Sequence, residues 1–190
     1  MSGAIVIGRA SLQRDAAASR KLPPVERWHP ANCGDIDIRI ARDGTWLHEG
    51  TPIARNESVR LFSTVLRRED DGFYLVTPGE KLRIVVDDAP FIAALMNAEG
   101  EGRSQKLHFI TNVGDETVAG PNHRLRVSIN ATSLEPRPYV HVRGGLEALI
   151  ARNVFYEMAD LAVPGDGAFE SVLGVWSSGE FFPLGGEKFD

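Results

Sequence analysis

Cysteine is nearly absent. Cys33 is the one thiol in 190 residues, so no disulfide can form within the chain, and a reducing compartment, the cytoplasm, is the expected setting. Long apolar runs are absent too: no segment approaches the roughly 18 uncharged apolar residues that cross a bilayer as a helix. The apolar run at residues 4–8 is short and has no Lys or Arg before it, so it makes a poor export signal, and no membrane association is expected. Basic excess is missing, because 21 Lys and Arg face 26 Asp and Glu for a formal charge of -5. That balance argues against broad attraction to nucleic acid. The chain carries no P-loop, no Gly-x-Ser-x-Gly elbow, no His-Glu-x-x-His and no Cys-x-x-Cys, which lowers the expectation of an enzyme. The five histidines, at 29, 48, 108, 123 and 141, show no close pair at ligand spacing, so neither a metal nor another cofactor is expected.

What the chain does have is core material and alternation. Hydrophobic residues make up 43% of it, enough to bury a substantial core. Alanines 16–18 favour a short helix over residues 9–20, which Pro23-Pro24 ends. Ile36, Ile38 and Ile40 alternate with Asp37 and Arg39, the period of a half-buried strand. Arg42-Asp43-Gly44-Thr45 then turns the chain into Trp46 and Leu47 as a hairpin. Asn56 is placed to cap a helix with Val59, Phe62, Val65 and Leu66 on one face, ending near residues 70–72. Two strands follow, over 73–77 and through Leu82, Ile84 and Val86, with Pro78-Gly79 between them. The polar, glycine-bearing tract 97–105 reads as a linker. Beyond it come strands near 107–111, 125–129 and 139–143, a helix opened by Gly144-Gly145 through Leu146, Leu149, Ile150, Val154 and Met158, and short strands at 172–176 and 181–184.

These patterns predict an α+β protein of two similar lobes from an internal duplication, each a small, mostly antiparallel sheet with one main helix. An N-terminal helical appendage spans 1–22, a first lobe 23–98 and a second lobe 103–190. In each half an aromatic strand with a histidine leads through glycine to a helix: Trp46, His48 and Gly50 in the first, Tyr139, His141 and Gly145 in the second. The tetrapeptide Ile-Ala-Arg-Asn also occurs twice, at 53–56 and 150–153, but its second copy falls inside the expected helix, so it reads as coincidence.

Candidate chemistry gathers at the expected helix starts. Arg55 and Arg60 flank Asn56, and Arg143 precedes Gly144-Gly145. Free backbone N–H groups and guanidinium groups together suit an anion. The competing account is that these arginines pair with the many carboxylates on a solvated face. Lys81 is shared between a salt bridge and a site. Trp46 and Tyr139 suit core or lobe-interface packing and complete the candidate ligand-binding set. Asp43 and His48 form an alternative acid/base pair for a hydrolase. Cys33, four residues after His29, suits a small buried position better than an activated thiolate.

Several stretches taken together resemble the bacterial family of unknown function DUF1285. They include residues 23–28 (Pro-Pro-Val-Glu-Arg-Trp), Cys33-Gly34-Asp35-Ile36-Asp37, Asp43-Gly44-Thr45-Trp46, Val59-Arg60-Leu61-Phe62-Ser63, Asp88-Ala89-Pro90-Phe91, Thr111-Asn112-Val113-Gly114 and Gly174-Val175-Trp176-Ser177. The resemblance implies a domain duplication, a second lobe similar to pleckstrin-homology (PH)-like folds, and a ligand-holding cleft between lobes. The expected function is binding of an anionic, nucleotide-like small molecule at the lobe interface in signalling. A protein-interaction adaptor with a protein partner is the alternative.

Overall fold

The computed structural model describes residues 22–129 and 135–185; the helix expected over 9–20 lies outside them. Six strands form the first sheet: β1 (Asn32–Ile40), β2 (Trp46–His48), β3 (Thr51–Pro52), β4 (Leu66–Glu69), β5 (Gly72–Val76) and β6 (Glu80–Val86), in the order β3-β2-β1-β6-β5-β4. Helix α1 (Asn56–Thr64) connects β3 to β4. The second sheet contains β7 (Phe91–Glu99), β8 (Lys106–Thr111), β9 (Glu116–Val118), β10 (Leu125–Ile129), β11 (Pro136–Arg143) and β12 (Leu146–Ile150), in the order β10-β11-β12-β7-β8-β9. Helix α2 (Arg152–Ala159) follows it, and β13 (Val163–Pro164), β14 (Leu173–Ser177) and β15 (Glu180–Pro183) make a small third sheet.

The two large sheets share one plan. Each is a pair of three-strand meanders joined by a parallel pairing of its first and last strands, β1 with β6 and β7 with β12. The fold is thus α+β with two lobes of like sheet topology, in which β1 corresponds to β7 and β6 to β12. That correspondence replaces the repeat register read from the sequence: Trp46 lies in the second strand of its sheet and Tyr139 in the fifth of its own. The helices are not equivalent either, since α1 follows the third strand of its sheet and α2 the sixth. The Ile-Ala-Arg-Asn copies nevertheless both lead into helices, with Asn56 the first residue of α1 and Arg152 the first of α2.

Two helices are shorter than their apolar spacing suggests. Val65 and Leu66 continue the helical period of Val59 and Phe62, yet α1 stops at Thr64. Leu66, Arg67 and Arg68 instead pair with Leu75, Tyr74 and Phe73 across a hairpin. Gly144-Gly145 does not open a helix. Both residues have positive φ (50° and 74°), the conformation of a two-residue hairpin turn, and they join β11 to β12. Leu146, Ala148 and Ile150 are then buried in alternation, a period of two that also satisfies part of the helical spacing. Residues 97–105 are not a linker between lobes but the end of β7 (97–99) and its turn into β8 (100–105), within one sheet. The chain passes between sheets at residues 87–90.

The core is continuous across that passage. Ile38, Ile40, Trp46, Leu66 and Ile84 of the first lobe join Phe91, Leu107, Phe109, Val140 and Leu146 of the second in one buried cluster, to which α2 adds Val154 and Met158 and the third sheet adds Val175 and Phe182. The tip of the β1–β2 hairpin docks on the second sheet, where Gly44 adopts φ +82° against the side chains of Ile92 and Asn112. The Asn112 amide accepts the Ile92 N–H at 3.0 Å and donates to the Gly44 carbonyl at 3.5 Å.

Candidate functional site

The lobes and the leading segment converge on a cleft of about 220 Å³. Its walls are residues 22–26, Thr64 and Leu66 of the first lobe, and Arg143, Gly144 and Leu146 of the second. Arg143 reaches it because the β11–β12 register shifts after His141, which pairs Arg143 with the buried Leu146. Cross-strand partners share a face, so this guanidinium points toward the first lobe. It donates to the Asp115 carboxylate and, at 2.7 Å, to the Ser63 carbonyl in the last turn of α1, and it lies 5.0 Å from the centroid of the Phe91 ring. A cation at the carboxyl end of a helix meets the negative end of its dipole. Asp115 is itself fixed in the β8–β9 turn, where its N–H donates to Thr111 Oγ1 at 2.9 Å. Across the cleft the Glu26 carboxylate lies against Gly144, so close that a Cβ there would stand 2.9 Å from Oε1.

The third wall is pinned by Arg67, which is buried. Its Nη1 donates to the carbonyls of Val25 (2.9 Å) and Trp28 (2.8 Å), holding the 3-10 turn Val25–Arg27 against β4, while Nη2 pairs with Glu69. Glu69 also accepts from Lys81 Nζ at 2.9 Å, and that bond, with Arg67 beside it, holds the Glu69 carboxyl below its ordinary pKa. Lys81 is raised by the same partner and packs 4.6 Å from the centroid of Tyr74.

The arginines singled out in the sequence are not brought together. Arg143 holds the carboxyl end of α1, whereas Arg55 is the N-cap residue, about 12 Å away along the axis at 1.5 Å per residue. Arg55 and Arg60 are exposed, and Arg55 rather than Asn56 occupies the cap, with no side-chain capping bond. Trp46 is buried in the core and stacks on Phe62. Tyr139 is buried too, its hydroxyl on Asp88 and its ring under Arg126. Asp43 accepts the Thr45 N–H at 2.9 Å, which lowers its pKa. That bond closes the hairpin tip, whereas His48 lies at the far end of β2 opposite Ile38 and Thr51. Cys33 is exposed rather than buried, opposite Lys81 on β1, with its Sγ 3.8 Å from the Pro30 carbonyl.

Sequence reasoning passed over Arg67, Glu69, Asp88 and Asp115. A buried arginine beside Leu66 has no local signature, because the carbonyls it serves lie about forty residues away. The fold also brings His123 and His141 together, rings 5.3 Å apart, but among the described residues no group of three or more His, Cys, Asp or Glu could hold a metal ion. No helix among them is long and apolar enough to cross a membrane.

Comparison with known proteins agrees with this architecture. The model of the DUF1285 N-terminal domain, a domain of unknown function, matches residues 23–89, and that of the DUF1285 C-terminal domain, also of unknown function, matches residues 90–184. The junction between the two matches falls where the chain passes from the first sheet to the second. The crystal structure of a DUF1285 family protein from Silicibacter pomeroyi is similar, with a TM-score of 0.81 and 54% identity over 91% of this chain and 93% of that one. A DUF1285 family protein from Shewanella baltica aligns with a TM-score of 0.50 and 25% identity over 65% of this chain and 90% of the other. No curated protein matches. With both domain models matched in order and a solved relative more than half identical over nearly the whole length, the chain belongs to the DUF1285 family.

Proposed function

We propose that the protein is a small-molecule-binding regulatory module of the cytoplasm, with its site in the cleft where the leading segment meets both lobes. One observation carries this reading. Arg143 stands in the cleft wall with two of its five donors engaged among the described residues, on Asp115 and the Ser63 carbonyl, and its neighbours there are mostly apolar, Pro23, Val25, Leu66 and Leu146 among them, beside Glu26 and Thr64. Such a wall suits an amphipathic anion: an apolar body on the prolines and leucines, and a carboxylate or phosphate on the guanidinium. Pockets that enclose drug-sized ligands run to roughly 300–1,000 Å³, and this cleft holds about 220 Å³. A whole nucleotide would protrude, and a smaller acid fits better. Because Arg143 also joins the β8–β9 turn to α1, a ligand that draws on it acts on the contact between lobes, which gives binding a route to a regulatory output.

Thermal stability of the full chain against a panel of small carboxylic acids, phosphosugars and nucleotides tests the reading, since a ligand of the native state raises Tm by mass action. A concentration-dependent rise with small amphipathic acids is expected. It should be lost in Arg143→Lys, which keeps the charge but not the planar fork, and in Thr64→Phe, which fills the cleft. A panel without any shift, or a shift that survives both substitutions, removes the proposal.

A further inference from the structure

Arg143 shares the cleft with a charge of the opposite sign. Among the residues of the wall, Arg143 and Glu26 are the two that carry charge. The fold sets where Glu26 stands: Arg67 holds the carbonyls of Val25 and Trp28 on either side of it, and its carboxylate lies against the bare Cα of Gly144. Glu26 is exposed, and among the described residues its carboxylate makes no ion pair or hydrogen bond. The cations around the cleft are turned elsewhere. Arg143 is on Asp115 and the Ser63 carbonyl, and Arg68, whose stem lies beside Gly145, reaches over the Phe73 ring. Arg27, next to Glu26 in the chain, does not line the cleft. Thr64 Oγ1, also in the wall, donates to the Leu61 carbonyl at 2.7 Å, so its oxygen still has room to accept.

We infer that the ligand of this cleft is a zwitterion, a free α-amino acid with an apolar side chain, an inference that rests on the cleft being the binding site. The ligand carboxylate takes the donors that Arg143 has left, its ammonium takes Glu26 and Thr64 Oγ1, and its side chain lies on Pro23, Val25, Leu66 and Leu146. Charge selects this class over a simple acid. A lone carboxylate or phosphate brought to Arg143 meets Glu26 as a second anion in a narrow cleft. An α-ammonium, carried on the same carbon as the carboxylate, turns that repulsion into a pair. Phosphosugars and nucleotides bring more negative charge and outgrow a cleft of about 220 Å³. A free amino acid is among the smallest molecules that combine anion, cation and apolar group.

Three probes that share one side chain separate these contributions on the full-length protein: L-leucine, 4-methylpentanoate, which lacks the ammonium, and leucinamide, which lacks the carboxylate and stands in for the amino end of a peptide. Thermal melts and calorimetric titration should give L-leucine roughly tenfold tighter binding than either analogue. Glu26→Gln keeps the shape of the side chain and breaks no bond within the protein. It should bring L-leucine down to the level of 4-methylpentanoate without weakening 4-methylpentanoate itself, whereas Arg143→Lys should weaken both acids. The inference is overturned, and the cleft reading stands, if 4-methylpentanoate matches L-leucine in the parent, if L-leucine keeps its advantage in Glu26→Gln, or if a phosphosugar or nucleotide binds the cleft more tightly than L-leucine. Leucinamide that matches L-leucine, or a failure of both acids to bind, overturns the inference and the cleft reading together.

Discussion

The Tyr139 hydroxyl donates to Asp88 Oδ1 at 2.8 Å across the junction of the two lobes. Asp88 sits in the connection between β6 and β7, and its second oxygen takes Arg137 Nη1 at 2.8 Å. With its side chain only 14% exposed, this carboxylate ties the inter-lobe passage to β11. Removing it strands two donors, whereas removing the hydroxyl alone leaves the arginine pair in place. Asp88→Ala should therefore cost about 2–3 kcal/mol and Tyr139→Phe about 1 kcal/mol, as read by urea denaturation. Equal losses from the two, or none from Asp88→Ala, would show that the passage is held by the shared core instead.

Gly44 makes a sharper demand at the same junction. Its φ of +82° disfavours any L side chain, and a Cβ would stand 2.7 Å from Ile92 Cγ1 and 2.9 Å from Asn112 Nδ2. The left-handed conformation and the overpacking add, so Gly44→Ala should destabilise by about 2–4 kcal/mol. Gly50, also at positive φ but with nothing within 4 Å of an added Cβ, carries the conformational part alone. Thermal melts of Gly44→Ala and Gly50→Ala should separate, with the Gly44 variant the weaker. A larger loss at Gly50 would mean that the hairpin tip is free to move away from the second sheet.

The difference between what was legible in the sequence and what was not follows the range of the interactions. The alternation of Ile36, Ile38 and Ile40, the 42–45 turn and the Pro78-Gly79 turn are local, and each appears where it was read. Leu66 and Leu146 read as helical in the sequence because a few apolar residues fit periods of 3.6 and 2 equally well over one turn. Only the partner strands, β5 for Leu66 and β11 for Leu146, break the tie. The parallel closures of β1 on β6 and β7 on β12 join segments roughly half a lobe to a lobe apart, and no residue in them announces it. Arg143 stands out in the sequence beside a helix start that the fold does not contain. It lines the cleft because a register shift in a hairpin turned it inward.

The first sheet should lose stability in acid. Glu69 is held below its ordinary pKa chiefly by Lys81, and Asp71 chiefly by the Tyr74 hydroxyl at 2.6 Å. A carboxyl with a lower pKa in the folded chain than in the unfolded one stabilises the fold above the unfolded value. That contribution fades as pH falls through the folded value. Melting temperature should therefore be level near neutrality and drop as pH falls below about 4, with a shallower drop in Glu69→Gln. A Glu69→Gln profile parallel to that of the parent would place the acid sensitivity elsewhere.

Arg67 is the residue through which the fold of the first lobe shapes the cleft. Two carbonyls of the leading segment and the Glu69 carboxylate converge on one buried guanidinium, a geometry that a lysine ammonium, with a single point of charge, cannot reproduce. Glu69 keeps Lys81 when Arg67 is lost, so the first sheet survives while residues 25–28 lose their anchor. Arg67→Lys should thus raise amide hydrogen exchange in residues 25–28 far more than in β5 or β6, and Arg67→Ala should cost about 2–4 kcal/mol overall. Since Val25 and Glu26 of that stretch line the cleft, any ligand shift in Tm should shrink in Arg67→Lys. Exchange that rises uniformly through the first lobe would instead make Arg67 a support of the sheet and leave the cleft wall held by its prolines.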